Sequence, residues 1–525
     1  MTFRLAAITL LWAISGVARA QDDPPDQGEE EAAREADLFG GPSTDEADRE
    51  ADLFGGAPSS DEDREAAIFG GEGTAPVETA SDAADAIRAK IREQDRTFTI
   101  GGRLWLQLQG RATEDTDSAE GVALSSPNLL ELFGDARPND RVRAYVRARL
   151  QHDWTVHQTR TDATGQTVDA VTGEPVDPSL FGAATTPTQV VLDQLWVKFD
   201  AGRKVYATVG RQRIKWGAGR FWNPSDFMNQ QRLDPLAVLD LRTGVSLVKL
   251  HVPFEAAGAN VYAIANLDQA NALDQVGGAA RVEWLFGQTE FALSSALRKD
   301  QPVRLGADVS SGVSVFDVRL EGALQHGNAA PHWRGTWNYT ELPPSFPVDK
   351  SRDEEWIAQV VAGADVSIRY SDQDSIVLGA EAFYNGAGYS DAELLPWMFL
   401  TGTYTPLYTG TWYIAGYALL AGPGQWDDHS FSASFIGNLS DHSEILRFDY
   451  RVTALTWLDL NAFVSDAFGK NGELHYRLNL PAMPEGIAAG CALDPECAPF
   501  AEVLADRLRV PAPTVTVGLG AAVRF

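Results

Sequence analysis

The sequence predicts an all-β protein: a transmembrane antiparallel β-barrel of about 18 strands, with 16 as the alternative, behind a disordered acidic N-terminal leader. Three observations predict it. From Thr97 onward, apolar and polar residues alternate with period two in stretches of about ten residues. Short and long gaps alternate between those stretches. After the first 20 residues, no apolar run approaches the roughly 18–20 residues that a membrane-spanning helix needs. A helical membrane protein is therefore excluded, whereas barrel strands alternate and leave hydropathy near neutral.

Composition agrees. The 525 residues include 47 Gly, 14 Trp, 13 Tyr and 24 Phe but only four Met, a balance that leans toward β-structure. The net charge of −30 disfavours a protein that wraps nucleic acid. Two cysteines are too few for a disulfide-stapled scaffold or a Cys-rich zinc module.

Residues 1–20 read as a secretory signal, with Arg4 as the basic start, Leu5 to Val17 as the apolar stretch, and Ala18-Arg19-Ala20 as the cleavage site. Residues 21–96 carry 23 acidic and 7 basic residues, and high charge with low hydrophobicity predicts disorder across 21–80. A 15-residue repeat runs through this leader, with copies at Arg34 to Gly41, Arg49 to Gly56 and Arg64 to Gly71. Each copy presents an apolar pair: Leu38-Phe39, Leu53-Phe54 or Ile68-Phe69. Two readings stand, a duplicated solvated linker and a three-copy docking motif for a periplasmic partner, whose valency raises effective concentration. Ser81 to Arg96 reads as a short helix with Ser81 as N-cap.

The barrel occupies 97–525. Phe98, Ile100, Leu104, Leu106 and Leu108 alternate with Thr99, Arg103, Gln107, Gln109 and Arg111. Val142, Ala144, Val146, Ala148 and Leu150 alternate with Arg141, Arg143, Tyr145, Arg147 and Arg149; Phe316, Val318, Leu320 and Leu324 alternate with Asp317, Arg319, Glu321 and Gln325. Short gaps fall near 200–203, 253–258, 286–287, 310–312, 371–374, 422–427 and 454–456. Longer ones fall at 157–188, 217–242, 268–277, 326–355, 386–410 and 467–512, with 298–301 and 439–442 as short members of that class. Short gaps correspond to periplasmic turns and long ones to outer loops. An even strand number with both ends periplasmic requires one further strand, assigned to Leu129–Gly134, with Ala136 to Asp140 as the turn behind it.

The chain ends Val515, Val517, Leu519, Ala521, Val523, Phe525, with Thr516, Gly518, Gly520 and Arg524 between them. This resembles the closing strand of Gram-negative outer-membrane barrels, in which a C-terminal Phe is the signal read by the assembly machinery. The segment Gly210-Arg211-Gln212-Arg213-Ile214-Lys215-Trp216-Gly217-Ala218-Gly219-Arg220-Phe221-Trp222-Asn223-Pro224-Ser225-Asp226 resembles the RQ-x-x-x-WG-x-G-x-x-x-NP-x-D stretch of alginate-export-type and related porin-like proteins. The resemblance implies an outer-membrane location, contact with lipid, assembly through Phe525, and passage of hydrophilic solutes or oligosaccharides.

No catalytic arrangement stands out. The eight His form no HExxH and no i,i+4 ligand pair, and no P-loop or dinucleotide pattern occurs. No enzyme activity, cofactor, metal or nucleic-acid partner is expected. Cys491 and Cys497 are expected to pair as a local disulfide in the last outer loop.

Function is expected on the lumen face. Arg103, Arg111, Arg141, Arg143, Arg147 and Arg149 form one basic wall. Asp317, Glu321, Asp365, Glu381, Asp449 and Asp459, interspersed with Arg319, Arg369, Arg447 and Arg451, form an acidic one. Opposed walls put a transverse field across a water-filled pore, and rings of charge set ion preference. The alternative is a salt-bridge network that fills the lumen without conducting. Trp216, Arg220, Trp222, Asn223 and Asp226 are expected in an outer loop that folds inward, narrows the pore and offers stacking faces and polar contacts to sugars. The competing reading makes the aromatic pair an anchor at the membrane interface.

The expectation is a porin-like channel for passive passage of hydrophilic solutes, anionic or saccharide. The alternatives are an exporter of an acidic polysaccharide and a non-conducting scaffold whose leader recruits periplasmic partners.

Overall fold

The computed structural model describes residues 97–525 apart from 157–158, 162–166, 170–186, 230, 238–239, 329, 342, 372–373, 492–499 and 502–503. The signal, the leader repeats and the helix expected at 81–96 lie outside the described residues, as does Cys497.

Eighteen strands close into one antiparallel barrel. They are β1 (Phe98–Thr113), β2 (Pro127–Asn139), β3 (Val142–Asp153), β4 (Thr188–Ala201), β5 (Val205–Gln212), β6 (Val245–Phe254), β7 (Ala259–Asn266), β8 (Gly277–Phe286) and β9 (Thr289–Leu297). The circuit continues with β10 (Val303–Val313), β11 (Phe316–His326), β12 (Trp356–Arg369), β13 (Ser375–Asn385), β14 (Trp412–Ala421), β15 (His429–Asn438), β16 (Ser443–Leu455), β17 (Leu458–Gly469) and β18 (Pro513–Arg524). Each strand pairs with the next, and β18 pairs with β1 from Arg103↔Arg524 to Thr113↔Pro513, so no edge remains. A three-residue strand, Ala123–Ser125, extends the pairing of β1 beyond β2.

Period-two alternation becomes two faces. Ile100, Leu108, Val146, Leu150, Leu293, Leu320, Leu324 and Leu519 are exposed on the outer face. Phe98, Phe199, Phe254, Phe286, Phe316, Trp426 and Trp457 ring the end that carries the short turns, and Trp154, Trp356 and Trp412 lie at the other. An apolar band between aromatic girdles on a closed barrel is the architecture of the Gram-negative outer membrane, where every backbone polar group must find a partner within the sheet. Phe525 seats its ring over Gly102, and the two residues exchange backbone hydrogen bonds of 2.8 and 3.1 Å.

Two turn positions differ from the sequence reading. Ser310, Ser311 and Gly312 look like turn residues but stay paired within β10, and the turn falls at Ser314-Val315, where Ser314 takes a φ of 63°. Ala136 to Asn139 remain in β2 through a bulge, so the turn behind it is Asp140-Arg141. Arg141 is therefore a solvent-exposed turn residue and not a member of the lumen wall.

Outside the sheet, the outer loops 327–355, 386–411 and 470–512 share a small apolar core. Tyr339, Leu478, Leu480, Ile487 and Leu504 pack there with Trp337, Phe346 and Leu400. Helices α1 (Leu395–Leu400) and α2 (Glu485–Cys491) belong to this cap. Cys491 is buried in it and disulfide-bonded.

Candidate functional site: a lumen divided by an inserted loop

Loop 213–244 turns into the barrel and is fastened to its far wall. Glu321 on β11 accepts hydrogen bonds from the backbone N–H of Ala218 (2.9 Å), Gly219 (3.0 Å) and Ser225 (2.8 Å), and from the Ser225 hydroxyl (2.8 Å). Glu381 on β13 accepts from the N–H of Arg220 (2.8 Å), Phe221 (3.0 Å) and Trp222 (3.0 Å). Two carboxylates thus satisfy six backbone donors that the non-helical loop would otherwise bury unpaired.

The glycines of the Trp216–Asp226 stretch follow from this approach. A Cβ on Gly217, whose φ is 95°, would meet the Glu321 carboxylate oxygens at 2.5 Å. One on Gly219 would meet the Trp222 carbonyl oxygen at 1.9 Å. Gly217 requires glycine for both its conformation and its contact, and Gly219 for its contact.

The side chains of the stretch are spent on anchoring. Arg220 Nε donates to Asp365 on β12 at 3.0 Å and lies over the Tyr417 ring at 5.1 Å. Tyr417 donates to the other Asp365 oxygen at 2.6 Å, and Arg319 pairs with Asp365 from β11. Trp222 is fully buried, stacks on Phe383 at 5.5 Å and donates its indole N–H to the Leu407 carbonyl. Trp216 is buried among Leu247, Tyr262 and Ile264. Asp226 is buried against Arg242 at 3.0 Å and accepts from Asn229, and Asn223 is buried beside it. Trp216, Arg220, Trp222 and Asp226 therefore leave no face for a sugar or carboxylate. In a barrel lumen, aromatic and charged residues can bury against the wall as readily as they can face solute, and here they do the former.

The acidic wall changes meaning for the same reason. Glu321, Asp365 and Glu381 are 1%, 2% and 4% exposed, covered by the loop. They face the inserted loop and not open water, and Arg220 and Arg319 offset the Asp365 charge. Asp317 and Arg369 sit exposed at the periplasmic rim. Asp449 and Asp459 lie on the arginine side, where Arg447 pairs with Asp449 at 2.6 Å and Arg451 with Asp459 at 3.3 Å.

On that side, β1–β4 and β16–β18 carry partly exposed lumen arginines. Arg143 is held by Asp135 at 3.0 Å and lies over the Trp196 ring at 5.6 Å. Arg147 donates to the Tyr145 hydroxyl at 2.9 Å, with Glu131 at 3.8 Å. Arg447, largely buried, lies over the Phe463 ring at 3.8 Å. Arg149 differs: it is buried against Asp193 at 3.1 Å, and Arg213 reaches the same carboxylate at 2.9 Å. A bulge in β4 makes this possible. The pairing register slips between Arg147↔Gln194 and Ala148↔Leu192, turning both Asp193 and Gln194 inward. Asp193 was legible as a phase slip: Val190 and Leu192 point outward, then Leu195, Val197 and Phe199.

A cavity of about 530 Å³ occupies the outer half of this side. It is lined by Trp105, Gln107, Gln109 and Arg111 of β1, Asn128 of β2, Gln151 and Asp153 of β3, Gln189 of β4, Arg447 of β16, Ser465 of β17, and Asp234, Leu236 and Leu241 of the inserted loop. Further groups that sequence reading did not single out lie beneath Trp216, where Arg281 pairs with Glu283 at 2.7 Å and with Asp308 at 2.8 Å.

A closed barrel with an apolar outer band, a polar interior and a loop held inside it is an outer-membrane β-barrel in architecture. No family model matches the chain, and no curated protein matches it. Solved structures similar to it include Pseudomonas putida OprB, at 10% identity and a TM-score of 0.43, with 86% of this chain and 99% of that one covered. Pseudomonas aeruginosa OccK11 (OpdR) aligns at 8% identity and 0.43, over 82% and 96%. A triple mutant of Rhodopseudomonas blastica porin aligns at 11% and 0.35, over 82% and 100%.

Proposed function

We propose that this barrel is a passive outer-membrane channel for hydrophilic solutes, and that its passage runs down one side of the lumen, between the inserted loop and the wall formed by β1–β4 and β16–β18. The observation that carries this reading is the unequal filling of the interior. One wall is sealed to the loop by Glu321, Asp365 and Glu381, whereas the opposite wall keeps Arg143 and Arg147 partly exposed and borders a cavity lined by both apolar and polar side chains. The solutes favoured are anionic or polyhydroxylated. Arg111, Arg143, Arg147 and Arg447 supply positive potential, and the amides of Gln107, Gln109, Gln151 and Gln189 both donate to and accept from hydroxyls. Phe525 acts as the signal for the assembly machinery, and the 34–71 repeats act as a docking site for a periplasmic partner.

Purified protein reconstituted in a planar bilayer tests the channel. Discrete conductance steps in potassium chloride are expected. A correctly folded barrel that never conducts would instead favour the scaffold reading.

A further inference from the structure

The closing seam of the barrel carries an unusual juxtaposition. Arg103 on β1 and Arg524 on β18 are direct cross-strand partners, both in the lumen-facing phase of their strands. Like charges in that position repel and destabilise the pair. Arg451 on β16 joins them and is repelled by both. One carboxylate serves two of the three: Asp459 at the start of β17, nearly fully buried, takes Arg524 Nη2 at 2.7 Å and Arg451 Nη2 at 3.3 Å on the same oxygen. Its other oxygen accepts from the Thr453 hydroxyl at 3.0 Å. Arg103 makes no ion pair with any described residue. Arg451 Nε is buried without a hydrogen-bond partner. Glu131, the cross-strand partner of Arg103 on β2, is shared with Arg147 at 3.8 Å, so three guanidinium groups with Asp459 and part of Glu131 as their acids keep a net positive charge and unspent donors. The Arg451 and Arg524 side chains stay 29% and 26% exposed, so the group is reachable from water.

We infer that Arg103, Arg451 and Arg524 form an oxyanion-binding site at the periplasmic end of the lumen, taking the carboxylate or phosphate group of a solute. Such a group supplies the acceptors that the fold leaves out, and planar guanidinium forks match it with paired hydrogen bonds. Asp459 sets the site's strength: it holds two of the arginines in place and cancels one of the three charges. This deepens the channel reading without depending on current, because binding is measurable on the solubilised barrel.

The test uses the full mature chain in detergent at low ionic strength, titrated calorimetrically with citrate and, separately, with inorganic phosphate. Saturable binding of at least one probe is expected. Arg103→Gln and Arg451→Gln should each weaken it about tenfold or more, and Arg203→Gln, an exposed turn residue on the same periplasmic face, should leave it unchanged. Asp459→Asn should tighten it by removing the competing charge. Citrate binding alone marks a carboxylate site and phosphate binding alone a phosphate site. The inference is overturned if neither probe binds saturably, or if Arg203→Gln weakens binding as much as the triad variants do, which would mean general screening. It is also overturned if the two triad variants bind like the parent while keeping heat-modifiable migration. Conductance measured in parallel separates the two readings. A conducting barrel without binding rejects only the site, and a binding barrel without conductance rejects only the channel.

Discussion

The backbone amide of Gly219 lies 3.0 Å from Oε2 of Glu321, across more than a hundred residues of sequence. That contact joins a loop to the opposite barrel wall and decides which part of the lumen is protein and which part is left to solvent. Glu321→Gln should release it. The amide variant brings an NH₂ group toward donors that need an acceptor, and each buried donor left unpaired costs about 1–3 kcal/mol. A lower melting temperature and larger, noisier single-channel conductance are expected. Parent-like values of both would mean the loop is held by other contacts.

Trp222→Ala tests the same attachment through packing. Removing a fully buried indole that stacks on Phe383 should cost about 3–5 kcal/mol. Because the ring has no exposed face, block of the channel by added oligosaccharide should weaken only as far as the loop loosens. A selective loss of block at unchanged stability would instead show that Trp222 touches the solute.

Neighbouring arginines on β3 should separate cleanly. Arg147→Gln should shift the reversal potential in a salt gradient toward cations, more strongly at low ionic strength, because salt screens the field. Arg149→Gln should scarcely move selectivity but should destabilise the barrel by less than the roughly 3–5 kcal/mol of a fully unpaired buried charge, since Arg213 still reaches Asp193. Equal selectivity shifts in the two variants would contradict the division.

In the outer cap, Glu473 accepts from the Leu407 amide, the Tyr413 hydroxyl and Asn438. Burial pushes its carboxyl up to about 7, helped by the nearby Asp441 carboxylate and opposed by those hydrogen bonds. For an acid raised from 4.5 on folding, the stabilising contribution is present at low pH and is lost as pH climbs through about 7. Amide protection in 400–411 and 470–480 should therefore fall between pH 5 and pH 8, and Glu473→Gln should remove that dependence. A cap that tightens with rising pH would reverse the sign and refute this account of Glu473.

Much of the barrel was legible because strand alternation is a local property. Val142 to Gln151 shows which residues face inward, and the rhythm of short and long gaps orders the strands. Local rules failed at three kinds of place. Ser310-Ser311-Gly312 has turn-like composition, yet cross-strand pairing holds it in β10. Asp193 and Gln194 face the same way through a bulge, which breaks the period of two. For Glu321, Asp365 and Glu381, alternation gives the face but not what fills the lumen at that height. That depends on where loop 213–244 comes to rest, a contact between residues a hundred or more positions apart. The stretch Trp216 to Asp226 could be singled out by its aromatic content, but its role as an anchor follows only from the wall it meets.

The most direct measurement of the central claim is site-directed block of the passage. Gln109→Cys lies on the proposed path and Gly363→Cys beside the sealed wall, and the native Cys491 is already disulfide-bonded. In a planar bilayer, a bulky thiol-reactive reagent should reduce the single-channel current of Gln109→Cys severalfold and leave that of Gly363→Cys unchanged. Block at Gly363→Cys with Gln109→Cys unaffected would place the passage on the other side of the loop and contradict the account.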